Sequence, residues 1–198
     1  RLEEHLQRLL DSANILGINN FEYDLEDLRQ ATFEVINANK FSGCYIRPLI
    51  YLDGPLGLDL DTSTPKVGIA AWEWGTYLGD KALETGVNMM ISSFTRHHIN
   101  ITMTKAKISG NYVNSVLAKT LALRSGYDEA IMLDPDGYVS ECSGENLFII
   151  NGQEIQTPPK ATILEGITRD SLITIANDSG YIVSENMISK SRPIFLQI

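Results

Sequence analysis

The chain has 198 residues, 43% of them hydrophobic, enough to bury a core as one large domain or two small ones. With 25 Asp and Glu against 16 Lys and Arg, and no clustered basic face, its charge balance argues against a nucleic-acid ligand. Cys44 and Cys142 stand in unrelated apolar segments without CxxC or Cys/His spacing, so neither a disulfide framework nor a metal site is expected; a reducing, cytoplasmic compartment fits, and no apolar run approaches the ~18 residues of a membrane span.

The first element is a helix in "RLEEHLQRLLDSANILGI", where Leu2, Leu6, Leu9, Leu10, Ala13 and Leu16 recur at helical spacing up to about Gly17. A chain that opens on Arg1 inside such a pattern, and stops at Ile198 without an evident closing element, reads as an internal piece of a longer protein. Residues 25–38 form a second predicted helix, with Leu25, Leu28, Ala31, Thr32, Val35 and Ile36 on one side. "GCYIRPLIYL" reads as a strand with Tyr45, Arg47 and Leu49 on one face and Ile46 and Ile50 on the other; Pro48, which has no N–H to donate, predicts an edge or a bulge. After a Gly, Pro and Asp-rich loop, "KVGIAAWEW" is a second strand, running into the glycine-spaced "GTYLGDKALETG". That stretch, residues 75–86, is expected to link a smaller α/β domain (1–74) to a larger one (87–198).

Beyond it, "VNMMISSF" is predicted as a strand, and residues 113–125 as a helix with Val113, Val116, Leu117 and Leu121 on its apolar side, stopped by Gly126. "EAIMLDPDGYVSE" is a hairpin with a Pro-Asp-Gly turn and "NLFIINGQEIQT" another with Asn-Gly at its tip. Residues 168–177 are a further helix and residues 181–184 a last strand. Helices and strands mix without strict alternation, so the expected fold class is α+β with mixed or antiparallel sheets.

Few features of this chain invite chemistry. Lys119, mid-helix on the polar side, reads as a solvated surface lysine. Lys105 and Lys107, in "TKAKISGNYVNS", precede Gly110 and Asn111, where small residues let a ligand approach the backbone; an amine there can bond to a carbonyl, and spacing does not choose between the two lysines. Glu141 and Glu145, in "SECSGENLF", are either exposed turn carboxylates or a buried carboxylate aimed at a cation such as a protonated ring nitrogen. "LEGITRDSL" starts a helix whose amides, near Thr168, suit an anion such as phosphate.

Taken together and in this order, "RLEEHLQRL", "CYIRPL", "WEWGTYLG", "TKAKISGNYVNS", "GYVSECSGENLF" and "EGITRDSL" closely resemble the branched-chain amino acid aminotransferases, two-domain fold-type IV enzymes that use pyridoxal 5'-phosphate. The resemblance runs from the first residue to about Asn177 and implies that Lys107 carries the cofactor, with Lys105 a bystander. It further implies that Tyr112 bonds the cofactor's phenolic oxygen, Glu141 pairs with the pyridine nitrogen, and Leu164 packs on the ring face. Arg8, with Ile167 and Thr168, would hold the phosphate, while Tyr45, Arg47, Trp74 and Tyr77 would line the substrate pocket.

The implied reaction moves an amino group between Leu, Ile or Val and 2-oxoglutarate, in a homo-oligomer that binds neither nucleic acid nor membrane. Cys142, Ser143 and Glu165 depart from the family's usual residues beside the cofactor, and both ends of the family's fold are expected to be missing, including a Ser-Gly-Thr turn for phosphate and substrate carboxylate. D-amino acid aminotransferases and aminodeoxychorismate lyases share the lysine and are the rival enzymes; a non-catalytic scaffold is the rival of a different class.

Overall fold

A computed structural model describes residues 1–191, the side chains at 80 and 83 excepted. Residues 192–198, which the sequence reading assigns to the second domain, lie outside the described residues. The chain divides into two compact units, Arg1–Tyr77 and a second from Leu78 onward.

In the first unit, α1 (Leu2–Ile15) and α2 (Leu25–Asn39) bury Leu6, Ala13, Leu28 and Thr32. A reciprocal cap starts α2: Asp24 accepts from the amide of Asp27 and Asp27 accepts from the amide of Asp24, satisfying two N–H groups that a helix start leaves open. The helices pack with a two-stranded antiparallel sheet, β1 (Tyr45–Asp53) and β2 (Thr64–Trp72), in one continuous register from Tyr45 opposite Trp72 to Asp53 opposite Thr64. Pro48 therefore sits on an edge strand and not in a bulge. Period-two alternation leaves Tyr45, Arg47, Leu49 and Tyr51 on the more exposed face of β1.

The stretch expected as a linker contains a short helix of its own, α3 (Asp80–Thr85), set between Gly79 and Gly86, both at positive φ. In the second unit the strand predicted over "VNMMISSF" is shorter, β3 (Met89–Ile91). It pairs in parallel with β4 (Glu129–Leu133), which pairs antiparallel with β5 (Val139–Cys142). The second hairpin is β6 (Ile149–Asn151) and β7 (Glu154–Thr157), and β8 (Ile182–Glu185) adds to β7 in parallel, so both sheets of this unit are mixed.

All five residues of β4 are buried because both of its faces are covered. Ile131 and Leu133 join Val139, Leu147, Ile149 and Ile188 in one cluster, while Ala130 and Met132 meet Ala118 and Ala122 of α4 (Tyr112–Arg124). This corrects the reading of α4: Val113, Val116 and Leu117 are exposed, and the buried side is Ser115, Ala118 and Ala122. Close approach of the helix backbone to β4 needs small residues at the contact, and that requirement outweighs hydrophobicity. Between β4 and β5 the register runs Ile131 to Leu133 against Cys142 to Val139, so β5 holds one extra residue. Such a bulge re-aims side chains; Val139 and Cys142 both reach the core, and Glu141 between them faces a cleft.

Candidate active site

The cleft lies in the second unit, open to solvent, and is lined by Arg96, Lys107, Tyr112, Glu141, Leu164 and the Cys142–Gly144 turn, among others. Lys107 reaches it from a loop held by Asn111, which is buried and whose Nδ2 donates to the carbonyls of Met103 (3.2 Å) and Ala106 (3.4 Å). Asn111 closes a 3-10 turn, Ser109–Asn111, that runs directly into α4. The turn sets Tyr112, at the head of α4, beside the lysine: Lys107 Nζ donates to the Tyr112 hydroxyl and lies 5.0 Å from its ring centre. Lys105 engages differently, donating to the carbonyl of Lys160 and pairing with Glu165 at 2.9 Å.

Glu141 is the buried carboxylate of the pair considered in sequence; Glu145 is half-buried. Its Oε1 lies 2.7 Å from Arg96 Nε, with poor N–H alignment, so the contact is an ion pair more than a directed hydrogen bond. Oε2 accepts from Asn146 Nδ2 (3.1 Å) and from the amide of Leu164 (3.2 Å). Burial pushes the Glu141 carboxyl up to about 7, against the opposing pull of Arg96, the Leu164 amide and Lys107. A carboxylate so held gains from a further cation in the cleft.

Asn146 also donates to the carbonyl of Leu164 at 3.0 Å, tying the Leu164 turn to Glu141. Space behind it is tight: a Cβ on Gly166 would come within 2.1 Å of Asn146 Oδ1. Gly166 is the N-cap of α5 (Ile167–Asp178), which places Ile167 and the exposed Thr168 in the first turn, where backbone N–H groups point out of the helix end.

Of the residues singled out in sequence, Lys107, Tyr112, Glu141 and Leu164 therefore share one cleft, and Ile167 and Thr168 follow Leu164 at the start of α5. The remaining five belong to the first unit. Arg8 lies on α1 with Nη2 3.5 Å from His5 Nδ1. Tyr45, Trp72, Trp74 and Tyr77 form a chain of ring contacts, Tyr45 to Trp74 at 4.5 Å and Trp74 to Tyr77 at 6.3 Å between centres. The Arg47 guanidinium stands 5.4 Å from the Tyr45 and Trp72 ring centres.

Sequence reasoning missed Arg96, Asn111 and Asn146. Arg96 follows a short strand with no motif around it; Asn111 and Asn146 lie inside quoted motifs but had no role assigned. Lys119 requires a correction: it is not a solvated surface lysine. Its Nζ pairs at 2.5 Å with Glu129, which is fully buried and also accepts from the amides of Ala130 and Ser143.

The sequence pattern of the family described as Amino-transferase class IV matches residues 1–192. The branched-chain-amino-acid aminotransferase of Pseudomonas aeruginosa is 45% identical over 192 residues, which is 96% of this chain and 62% of that protein. Among solved structures, the Escherichia coli branched-chain amino acid aminotransferase superposes with a TM-score of 0.93 at 42% identity, covering 96% of this chain and 63% of that one. The branched-chain amino acid aminotransferase from Thermobaculum terrenum, in its PLP-bound holo-form, gives 0.88 at 31% identity, over 96% and 62%. The chain thus spans less than two thirds of the length of these relatives. It belongs to the class IV aminotransferase family.

Proposed function

We propose that this chain is the greater part of a branched-chain amino acid aminotransferase, exchanging amino groups between L-leucine, L-isoleucine or L-valine and 2-oxoglutarate with pyridoxal 5'-phosphate. The observation that carries this reading is the meeting of Lys107, Tyr112 and the buried Glu141 in one cleft. The donor set suits the cofactor group by group. Lys107 offers an amine for its aldehyde, Tyr112 a hydroxyl for its phenolic oxygen, Glu141 an anion for its ring nitrogen, and Leu164 an apolar contact for its ring face. The first turn of α5 at Ile167 and Thr168 suits its phosphate, and the family resemblance adds Arg8. When bound, pyridoxal phosphate supplies an electron sink for the substrate's Cα proton loss.

The chain's own side chains do the rest. Glu141, anchored by Arg96, Asn146 and the Leu164 amide, would pair with the ring nitrogen, its carboxylate and the protonated ring each favouring the other's charged form. Lys107 would hold the cofactor through its amine, and the same amine, when free, would be the base for the substrate's Cα proton. Tyr112, as the hydroxyl partner of the Lys107 amine, holds that amine at the cleft. On the first unit, the aromatic group around Trp74 suits branched apolar side chains, and Arg47 suits the second carboxylate of glutamate.

Assembly as a homo-oligomer is supported by the apolar side chains that α4 leaves exposed, with Val113 at 63% and Val116 at 61%. A cytoplasmic setting is supported by the free thiols of Cys44 and Cys142. Substrate choice is tested in the chain completed to the length of its relatives, by comparing kcat/KM for L-leucine and D-alanine with 2-oxoglutarate as acceptor. L-leucine is expected to lead by about a hundredfold; a lead for D-alanine would move the protein to the D-amino acid branch of the fold.

A further inference from the structure

Residues 104–107 alternate: Thr104 and Ala106 are buried, while Lys105 and Lys107 emerge from the loop. Lys107 goes to Tyr112 and the cleft. Lys105 goes to the turn that precedes α5, where its Nζ donates to the carbonyl of Lys160 and lies 2.9 Å from Glu165 Oε1. The other oxygen of Glu165 is 3.3 Å from Lys160 Nζ, so one carboxylate bridges two ammonium groups. Both lysines hold the Glu165 carboxyl below the usual carboxylate range, the hydrogen bond from Lys105 being the larger influence, so it stays ionised at neutral pH.

We propose that Lys105 is a positioning residue which, through Glu165 and Lys160, clamps the loop bearing Lys107 to the turn bearing Leu164, and so slows escape of the cofactor held between them. This rests on the cofactor reading given under Proposed function, and it changes the part assigned to Lys105, which the family resemblance treats as a bystander. An isolated exposed ion pair contributes little. Here one ammonium meets both a carboxylate and a backbone carbonyl, and the segments joined are the two that carry the cleft's amine and its apolar contact. Because the three side chains are 39–52% exposed, replacing them leaves the core intact.

The test uses Lys105→Met, Glu165→Gln and the double variant. Two quantities are read: hydrogen exchange of the amides at 104–108 and 160–166 without cofactor, and the rate of pyridoxal phosphate release from the loaded chain. Each single variant is expected to speed both by about fivefold at low salt, the double by no more than either single, and about 0.5 M salt should bring the unmodified chain up to the variants. Unchanged exchange in both segments, or full additivity of the two substitutions, overturns the clamp. Faster exchange with unchanged release overturns its effect on cofactor retention. If the chain completed to the length of its relatives takes up no pyridoxal phosphate, the proposed function fails, and exchange alone decides whether the clamp exists.

Discussion

Arg96 Nε stands 2.7 Å from Glu141 Oε1, and each side chain is only 8% exposed. Burial penalises the ionised carboxyl more than the guanidinium, the Leu164 amide and Lys107 favour it, which is why Glu141 titrates near 7. The site is thus built around a carboxylate that is not fully compensated by the protein alone.

The sign of the resulting pH dependence follows from the raised value. Glu141 binds its proton more tightly in the folded chain than in the unfolded one, so its contribution to stability is complete below about pH 4.5 and is lost as pH rises through about 7. The loss amounts to about 3 kcal/mol. Unfolding free energies from urea titrations of the cofactor-free chain and of Glu141→Gln should diverge by that amount between pH 4.5 and pH 8.5. Parallel curves would show that Glu141 titrates like an ordinary surface carboxylate.

Arg96→Met removes the cation and leaves the carboxyl buried. Above pH 8 the variant should lose about 3–5 kcal/mol, the range for breaking a buried pair. Near pH 5 the loss should be much smaller, because Glu141 is then protonated and needs no partner. A cost independent of pH would indicate that Arg96 contributes by packing alone.

The cleft's lysine and α4's lysine should separate cleanly in stability. Lys119→Met strips Glu129, which is fully buried, of its cation and should cost about 3 kcal/mol or more. Lys107→Ala, at an exposed position, should stay within about 0.5 kcal/mol while abolishing covalent cofactor. Thermal or urea unfolding of the two cofactor-free variants reads this directly, and equal losses would contradict it.

Gly166 is constrained by Asn146 more than by backbone conformation, since its φ of −69° is accessible to any residue. Gly166→Ala should cost roughly 1–3 kcal/mol by displacing the Asn146 side chain from Glu141 and the Leu164 carbonyl. In an Asn146→Ala background the same substitution should cost about 1 kcal/mol less. Additive losses would mean that the close approach is relieved elsewhere.

Spacing alone left Lys105 and Lys107 undecided; the resemblance carried by "TKAKISGNYVNS" chose Lys107 and Tyr112, and because one short loop and a helix start hold both, that local motif is also a spatial pair. Both hairpins were equally readable from their turns. Arg96 was not legible, since what makes it functional is Glu141, brought to it only when β3, β4 and β5 align. The bulge that turns Glu141 toward the cleft depends on register between strands, which no single segment encodes. On α4 the hydrophobic pattern misled: Val113, Val116 and Leu117 stay exposed because Ala118 and Ala122 alone let the helix sit close on Ala130 and Met132. Lys119 looked like a surface residue for a similar reason, its partner Glu129 being the first residue of a strand buried on both faces.

The most direct measurement is to add pyridoxal 5'-phosphate to the chain completed to the length of its relatives, reduce with borohydride, and map the modified lysine by peptide mass while circular dichroism confirms folding. The account predicts label concentrated on Lys107, with Lys105, Lys119 and Lys160 unmodified, and no site-specific label in Lys107→Ala. A folded chain whose label is scattered over several lysines, or absent, would contradict it.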